Sequence, residues 1–171
     1  MTRVIENAFL SYGKEDAPVK VEVFLNLACP YCATFFQAAD ETLPSYIENG
    51  QVQYVVKHYD KPREMLLYGT LANAFLDYKV PERVYELMKD LFAKQSQWSE
   101  SGSHSIKTML TEAYGLQEQP DNIDLSLSII DEAIKRHVKM VPTVFINGKE
   151  IQYPDEIDAN GLIKEVEQAL A

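Results

Sequence analysis

Cysteine is scarce in this sequence: 171 residues hold two, Cys29 and Cys32, with only two residues between them. So close a pair cannot staple a loop-rich fold in the way small secreted domains require, and it reads as chemical rather than architectural. Histidine is scarce too. His58, His104 and His137 fall on an expected strand end, a loop and a helix with no ligand spacing among them, so a zinc site built on the cysteines would lack its other half. Lys and Arg number 16 against 26 Asp and Glu, a formal charge of -10. Binding to phosphate backbones needs clustered cations, so nucleic acid is not an expected partner. No run approaches the roughly 18 apolar residues of a membrane-spanning helix, and no membrane partner is expected. The first ten residues, with Arg3 and Glu6 among few apolar ones, lack the basic stretch and apolar core of a secretory signal. Read with Met1 as the native start, the protein is expected to be cytoplasmic; a chain beginning after a removed signal would read the same.

What remains is an ordinary globular composition, 46% hydrophobic and 25% charged, sufficient for one domain or one fold carrying an insertion. Between Ala17 and Leu27 the run Val19-Lys20-Val21-Glu22-Val23-Phe24-Leu25 alternates and then becomes continuously apolar, as a strand entering a buried sheet does. Phe35, Phe36, Ala39 and Leu43 follow at helical spacing, with Pro30 at the tolerated first turn. Pro44 is expected to kink or interrupt this helix, and Asn49-Gly50 to end it. The segment from Val52 to Val56 is a second strand, completing a β-α-β unit.

From about Pro62 to Met140 four helices are expected. Their apolar stripes are Leu67, Leu71, Phe75 and Tyr78; Val84, Leu87, Met88, Leu91 and Phe92; Ile106, Met109, Leu110 and Tyr114; and Ile123, Leu127, Ile130, Ile134 and Val138. Residues 95–103, around Trp98, read as a loop in which Trp98 packs against the inserted helices, with lining of a substrate groove as the alternative. After Pro142, Thr143 to Ile146, the turn Asn147-Gly148 and Lys149 to Tyr153 form a hairpin. Asp155, Glu156 and Asp158 lead into a last helix carrying Leu162, Ile163, Val166 and Leu170. The first dozen residues leave an edge strand open.

The dithiol sits where the first strand stops and the first helix begins. A thiolate is the nucleophile of disulfide exchange, and the unpaired N–H groups and positive end of a helix stabilise one. Cys29 is therefore the expected attacking sulfur. Cys32, one turn on and facing inward, is the expected resolving sulfur. Two plainer readings stand beside this: half of a zinc site, and two buried cysteines packed as small hydrophobes. Lys57 and His58, ending the second strand, read as solvated.

The segment Glu15 to Val21, the strand, Cys29-Pro30-Tyr31-Cys32 and Val141-Pro142-Thr143 together resemble the DsbA-like thioredoxin-fold thiol-disulfide oxidoreductases, over Gly13 to Ala171. The resemblance implies an α/β thioredoxin fold, formed by residues 1–61 and 141–171, with residues 62–140 as an inserted helical subdomain. It implies an active-site motif that includes Pro30 and Tyr31, and a cis Pro142 facing the dithiol. Val141 would offer its backbone to an extended substrate. It also implies protein thiols or disulfides as partners, with glutathione or a redox partner protein open, and no cofactor. Two departures bear on the chemistry. Tyr31 stands where strongly oxidising members carry His, and Val23 stands where many carry a buried carboxylate serving the resolving cysteine; Glu22 beside it should point to the opposite face. Two other functions stay open: an enzyme like the kappa-class glutathione transferases and isomerases, which typically use Ser in place of a cysteine pair, and a non-catalytic thioredoxin-fold binding module.

Overall fold

The structure, a computed structural model, describes residues 7–152 and 157–171. Its centre is a five-stranded sheet in the order β1 (Leu10–Tyr12), β3 (Val52–His58), β2 (Val19–Leu25), β4 (Thr143–Ile146), β5 (Lys149–Glu150). β2 and β3 run parallel, joined by helix α1 (Pro30–Glu48), and the other pairings are antiparallel. The open question at the N-terminus resolves as the short edge strand β1. Val21, Val23 and Leu25 pack with Tyr54 and Val56 on the face covered by α1 and by α7 (Ala159–Leu170). Phe24 and Phe145 point the other way, into a smaller cluster with Ile129 and Ala133 of α6 (Asn122–Lys135). The Asn147-Gly148 turn has φ of +50° and +81°, as a type I′ turn requires. Tyr153, Asp155 and Glu156 lie outside the described residues, while Asp158 caps α7 by accepting from the Gly161 N–H.

Four expectations need correction. Pro44 does not break α1, which runs unbroken to Glu48. The proline removes one intrahelical bond, but Tyr46 and Ile47 beyond it pack on the core, and tertiary packing outweighs the local loss. In place of the four expected helices the described residues form five α-helices: α2 (Leu67–Asn73), α3 (Pro81–Ala93), α4 (Gln95–Trp98), α5 (Ser103–Thr108, continuing as a π turn to Ala113) and α6. Gln95–Trp98 is thus one turn of helix, and Trp98 is buried with its indole N–H bonded to the Leu91 carbonyl at 2.8 Å. α2 stops at Asn73, short of Phe75 and Tyr78, because the Asn122 carboxamide takes up the carbonyls of Asn73 and Leu76 at 2.9 and 2.8 Å.

The fourth correction concerns which side of α6 faces in. Ile123, Leu127 and Ile134 are exposed, whereas Asn122, Ile129 and Ala133 are buried with Ser126 half-buried on the same stripe. That side carries partners the sequence pattern does not display. Besides the two bonds of Asn122, Ser126 donates to Asp60 at 2.5 Å, and Glu132 meets the buried Lys57. Satisfying these buried polar groups fixes the helix's rotation more strongly than its isoleucines do. No helix among the described residues is long and apolar enough to cross a membrane.

Candidate active site

Cys29 is the N-cap of α1, with extended backbone (φ -84°, ψ 120°), and Pro30 occupies the first helical position. Its Sγ accepts the Cys32 N–H at 3.3 Å, which is an N-cap bond with sulfur in place of the usual oxygen. Cys32 is fully buried and its Sγ accepts the Asn26 N–H at 3.4 Å. Both cysteines are free thiols. Cys29 keeps only 5% of its surface, less than an attacking group would suggest, while its neighbour Tyr31 is 59% exposed. Hydrogen bonding from the Cys32 thiol, opposed by burial and aided by the backbone N–H groups of Cys32 and Tyr31, brings the Cys29 pKa down to about 7. Burial, then hydrogen bonding to Cys29, pushes the Cys32 thiol well above the ordinary range. The two sulfurs are thereby driven apart in acidity by burial, hydrogen bonds and the charge that Cys29 places beside Cys32.

Val141 reaches the same place from the other end of the chain. The Val141–Pro142 bond is cis, and the Val141 carbonyl oxygen lies 3.6 Å from Cys29 Sγ, close enough to accept from the thiol. Pro142 leads directly into β4, which pairs with β2. The structure therefore brings Cys29, Pro30, Tyr31, Cys32 and Val141 to one site at the carboxyl end of β2.

The turn from Asn26 to Cys29 is held by side chains that sequence reasoning missed. Gln95 of α4 donates to both the Leu27 and Cys29 carbonyls, at 2.7 and 2.9 Å. Asn26 accepts the Ala28 N–H at 2.9 Å. Gly69 of α2 lies so close that an added Cβ would sit 1.8 Å from Asn26 Oδ1 and 2.7 Å from the Ala28 nitrogen. His58, expected in solvent, is 2% exposed, and its Nε2 accepts the Leu27 N–H at 3.1 Å. A signal for it does exist. A parallel β-α-β unit sets the ends of its two strands side by side, here Leu25 against His58, so a polar residue closing β3 falls beside the turn that closes β2.

Lys57 is also buried, against expectation, on the opposite face. It pairs with Glu22 at 2.6 Å and with Glu132, while Arg136 bonds Glu22 at 2.9 Å. Glu22 does point away from the dithiol, and Val23 leaves apolar packing behind Cys32. Among the described residues no cluster of His, Cys, Asp or Glu is arranged to hold a metal.

The thioredoxin family model matches residues 7–165. No curated protein matches the chain. Among solved structures, a conserved protein of unknown function from Enterococcus faecalis V583 is 31% identical over 92% of this chain and 89% of its own, with a TM-score of 0.84. BdbD from Bacillus subtilis shares the fold at 18% identity over 95% of this chain and 93% of its own, with a TM-score of 0.62. A protein-disulfide isomerase from Novosphingobium aromaticivorans does so at 16% over 96% and 98%, with a TM-score of 0.71. With a family model spanning nearly its whole length and a dithiol at the start of α1, the chain belongs to the thioredoxin family, in the DsbA-like form of the fold.

Proposed function

We propose that the protein is a thiol-disulfide oxidoreductase acting on thiols and disulfides of other proteins, with Cys29 as nucleophile and Cys32 as resolving thiol. The observation that carries this reading is the asymmetry of the pair. One sulfur caps a helix and ionises near pH 7, and the other is buried as a thiol within hydrogen-bonding reach of the first. In the reducing direction the Cys29 thiolate attacks a substrate disulfide. A Cys29–substrate disulfide forms, and the first substrate sulfur leaves as a thiolate that takes a proton. Cys32 then gives up its proton and attacks Cys29 Sγ, forming the Cys29–Cys32 disulfide and releasing the second substrate thiol. The oxidising direction is the same path reversed. A similar fold carries the name protein-disulfide isomerase in one solved structure, which is in keeping with this reading. Val141, whose carbonyl faces Cys29 beside Pro142, supports a substrate bound in extended form against its backbone.

The test is trapping. A Cys32→Ser variant lacks the resolver and accumulates mixed disulfides with partner proteins, while Cys29→Ser accumulates none because the remaining thiol is buried. Adducts carrying glutathione alone, identified by mass spectrometry, would shift the reading to a glutathione-dependent enzyme. Absence of adducts would make the pair non-catalytic and the protein a binding module.

A further inference from the structure

Every backbone N–H from Asn26 to Cys29 has a partner, and only one partner is both titratable and from another strand. Asn26 donates to Cys32 Sγ, Ala28 to the Asn26 side chain and Cys29 to the Asn26 carbonyl. Leu27 instead donates to His58 Nε2. Leu27 is fully buried, so no water can replace that acceptor. An imidazole accepting at Nε2 must carry its proton on Nδ1. That nitrogen lies 3.0 Å from Asp60 Oδ1. Asp60 is itself fixed from behind, its Oδ2 accepting from Asn73 at 2.9 Å and from Ser126 at 2.5 Å. Burial works against the Asp60 carboxylate, yet His58, Ser126 and Asn73 hold its pKa below the usual value, so it stays charged and keeps the imidazole proton on its side.

We propose that His58, oriented by Asp60, is a positioning residue for Cys29: by accepting the Leu27 N–H it sets the turn that places Cys29 Sγ on the N–H groups opening α1. This inference rests on Cys29 being the reactive sulfur. Without the acceptor, the buried Leu27 N–H drives the turn to rearrange, the sulfur moves off the Cys32 N–H, and the thiolate loses stabilisation.

The experiment follows alkylation of Cys29 in the reduced full-length protein against pH, with mass mapping to separate it from Cys32, for His58→Leu, His58→Gln and Asp60→Ala. His58→Leu should raise the ionisation midpoint of Cys29 by about half a pH unit or more, roughly a threefold loss of thiolate below the midpoint. His58→Gln should return most of that shift, because its amide oxygen can accept the Leu27 N–H where Nε2 did. Asp60→Ala should shift the midpoint the same way by less, and it carries the test if His58→Leu does not fold. A lowered wild-type midpoint that no folded variant moves, or a His58→Gln as altered as His58→Leu, overturns the inference and leaves the proposed function intact. A wild-type midpoint at the ordinary thiol value overturns both.

Discussion

The two faces of β2 solve opposite problems. Val21, Val23 and Leu25 lie against α1 and α7 in an apolar layer, and at its end sit two sulfurs whose acidity is set by hydrogen bonds and burial. On the other face Glu22, Lys57, Glu132 and Arg136 form a network of charges. Phe24 and Phe145 roof it, with the Arg136 guanidinium 4.1 Å from the Phe145 ring centre and Lys57 Nζ 5.4 Å from that of Phe24. The sheet separates this network from the dithiol. Acidity at Cys29 and the stability supplied by this charge network are therefore separate properties, open to separate damage.

The largest expected effect falls on the charged face. Replacing Lys57 by Met leaves Glu22 and Glu132 with Arg136 as their remaining shared cation, in a site where both Lys57 and Glu22 side chains are 6% exposed. Breaking a buried pair costs about 3–5 kcal/mol, and the low end applies because Arg136 still pairs with Glu22. Urea unfolding should show that loss while the alkylation midpoint of Cys29 stays where it was. A Cys29 midpoint that moves with Lys57→Met would join the two faces and end the separation.

Acid should act on the same face. Burial raises the Glu22 pKa, but the hydrogen bonds and charges of Arg136 and Lys57 overcome that and hold it at about 2, against 4.5 for a free side chain. A depressed folded pKa stabilises fully above the unfolded value and is lost as pH falls through the folded one. The contribution, roughly 3 kcal/mol, should therefore be present at pH 5 and above and drain away between about pH 4.5 and 2. Unfolding free energies measured across that window check it, and Glu22→Gln should flatten the decline.

The same division separates what the sequence displays from what it hides. The strand, the helix-capping dithiol, the Asn147-Gly148 turn and the proline before β4 are legible because each depends on neighbours a few residues away. His58, Gly69 and Gln95 converge from β3, α2 and α4 on the turn that begins at Asn26, and no local spacing announces that. α6 misleads for a related reason. Its isoleucines form the more regular stripe, but Asn122, Ser126 and Glu132 have buried partners on distant segments, and those decide its rotation.

A smaller lesion on the dithiol face should show the opposite pattern to Lys57→Met. Gly69→Ala puts a methyl 2.7 Å from the Ala28 nitrogen, a backbone atom that can yield only by moving the turn that carries Cys29. Overpacking of this kind costs about 1–3 kcal/mol. Stability should drop by that amount and the Cys29 alkylation rate should change with it. A Gly69→Ala protein that is destabilised yet alkylates as before would mean that the turn's position and the sulfur's acidity are uncoupled.

The smallest effect expected is that of salt, and its smallness is informative. Ions screen charges that face solvent across more than the Debye length, about 10 Å at 0.1 M, and scarcely touch buried short-range bonds. The lowered Cys29 pKa has as its causes the Cys32 thiol and two backbone N–H groups, with no charged side chain among them, and the residue is 5% exposed. The dipole of α1 acts on a sulfur buried within its first turn, where salt screens it little. Raising the ionic strength should thus leave the alkylation midpoint near pH 7 almost unmoved, while an anionic alkylating agent and a neutral one give the same midpoint. A midpoint that climbs steadily with salt would instead point to a cation acting on Cys29 through solvent.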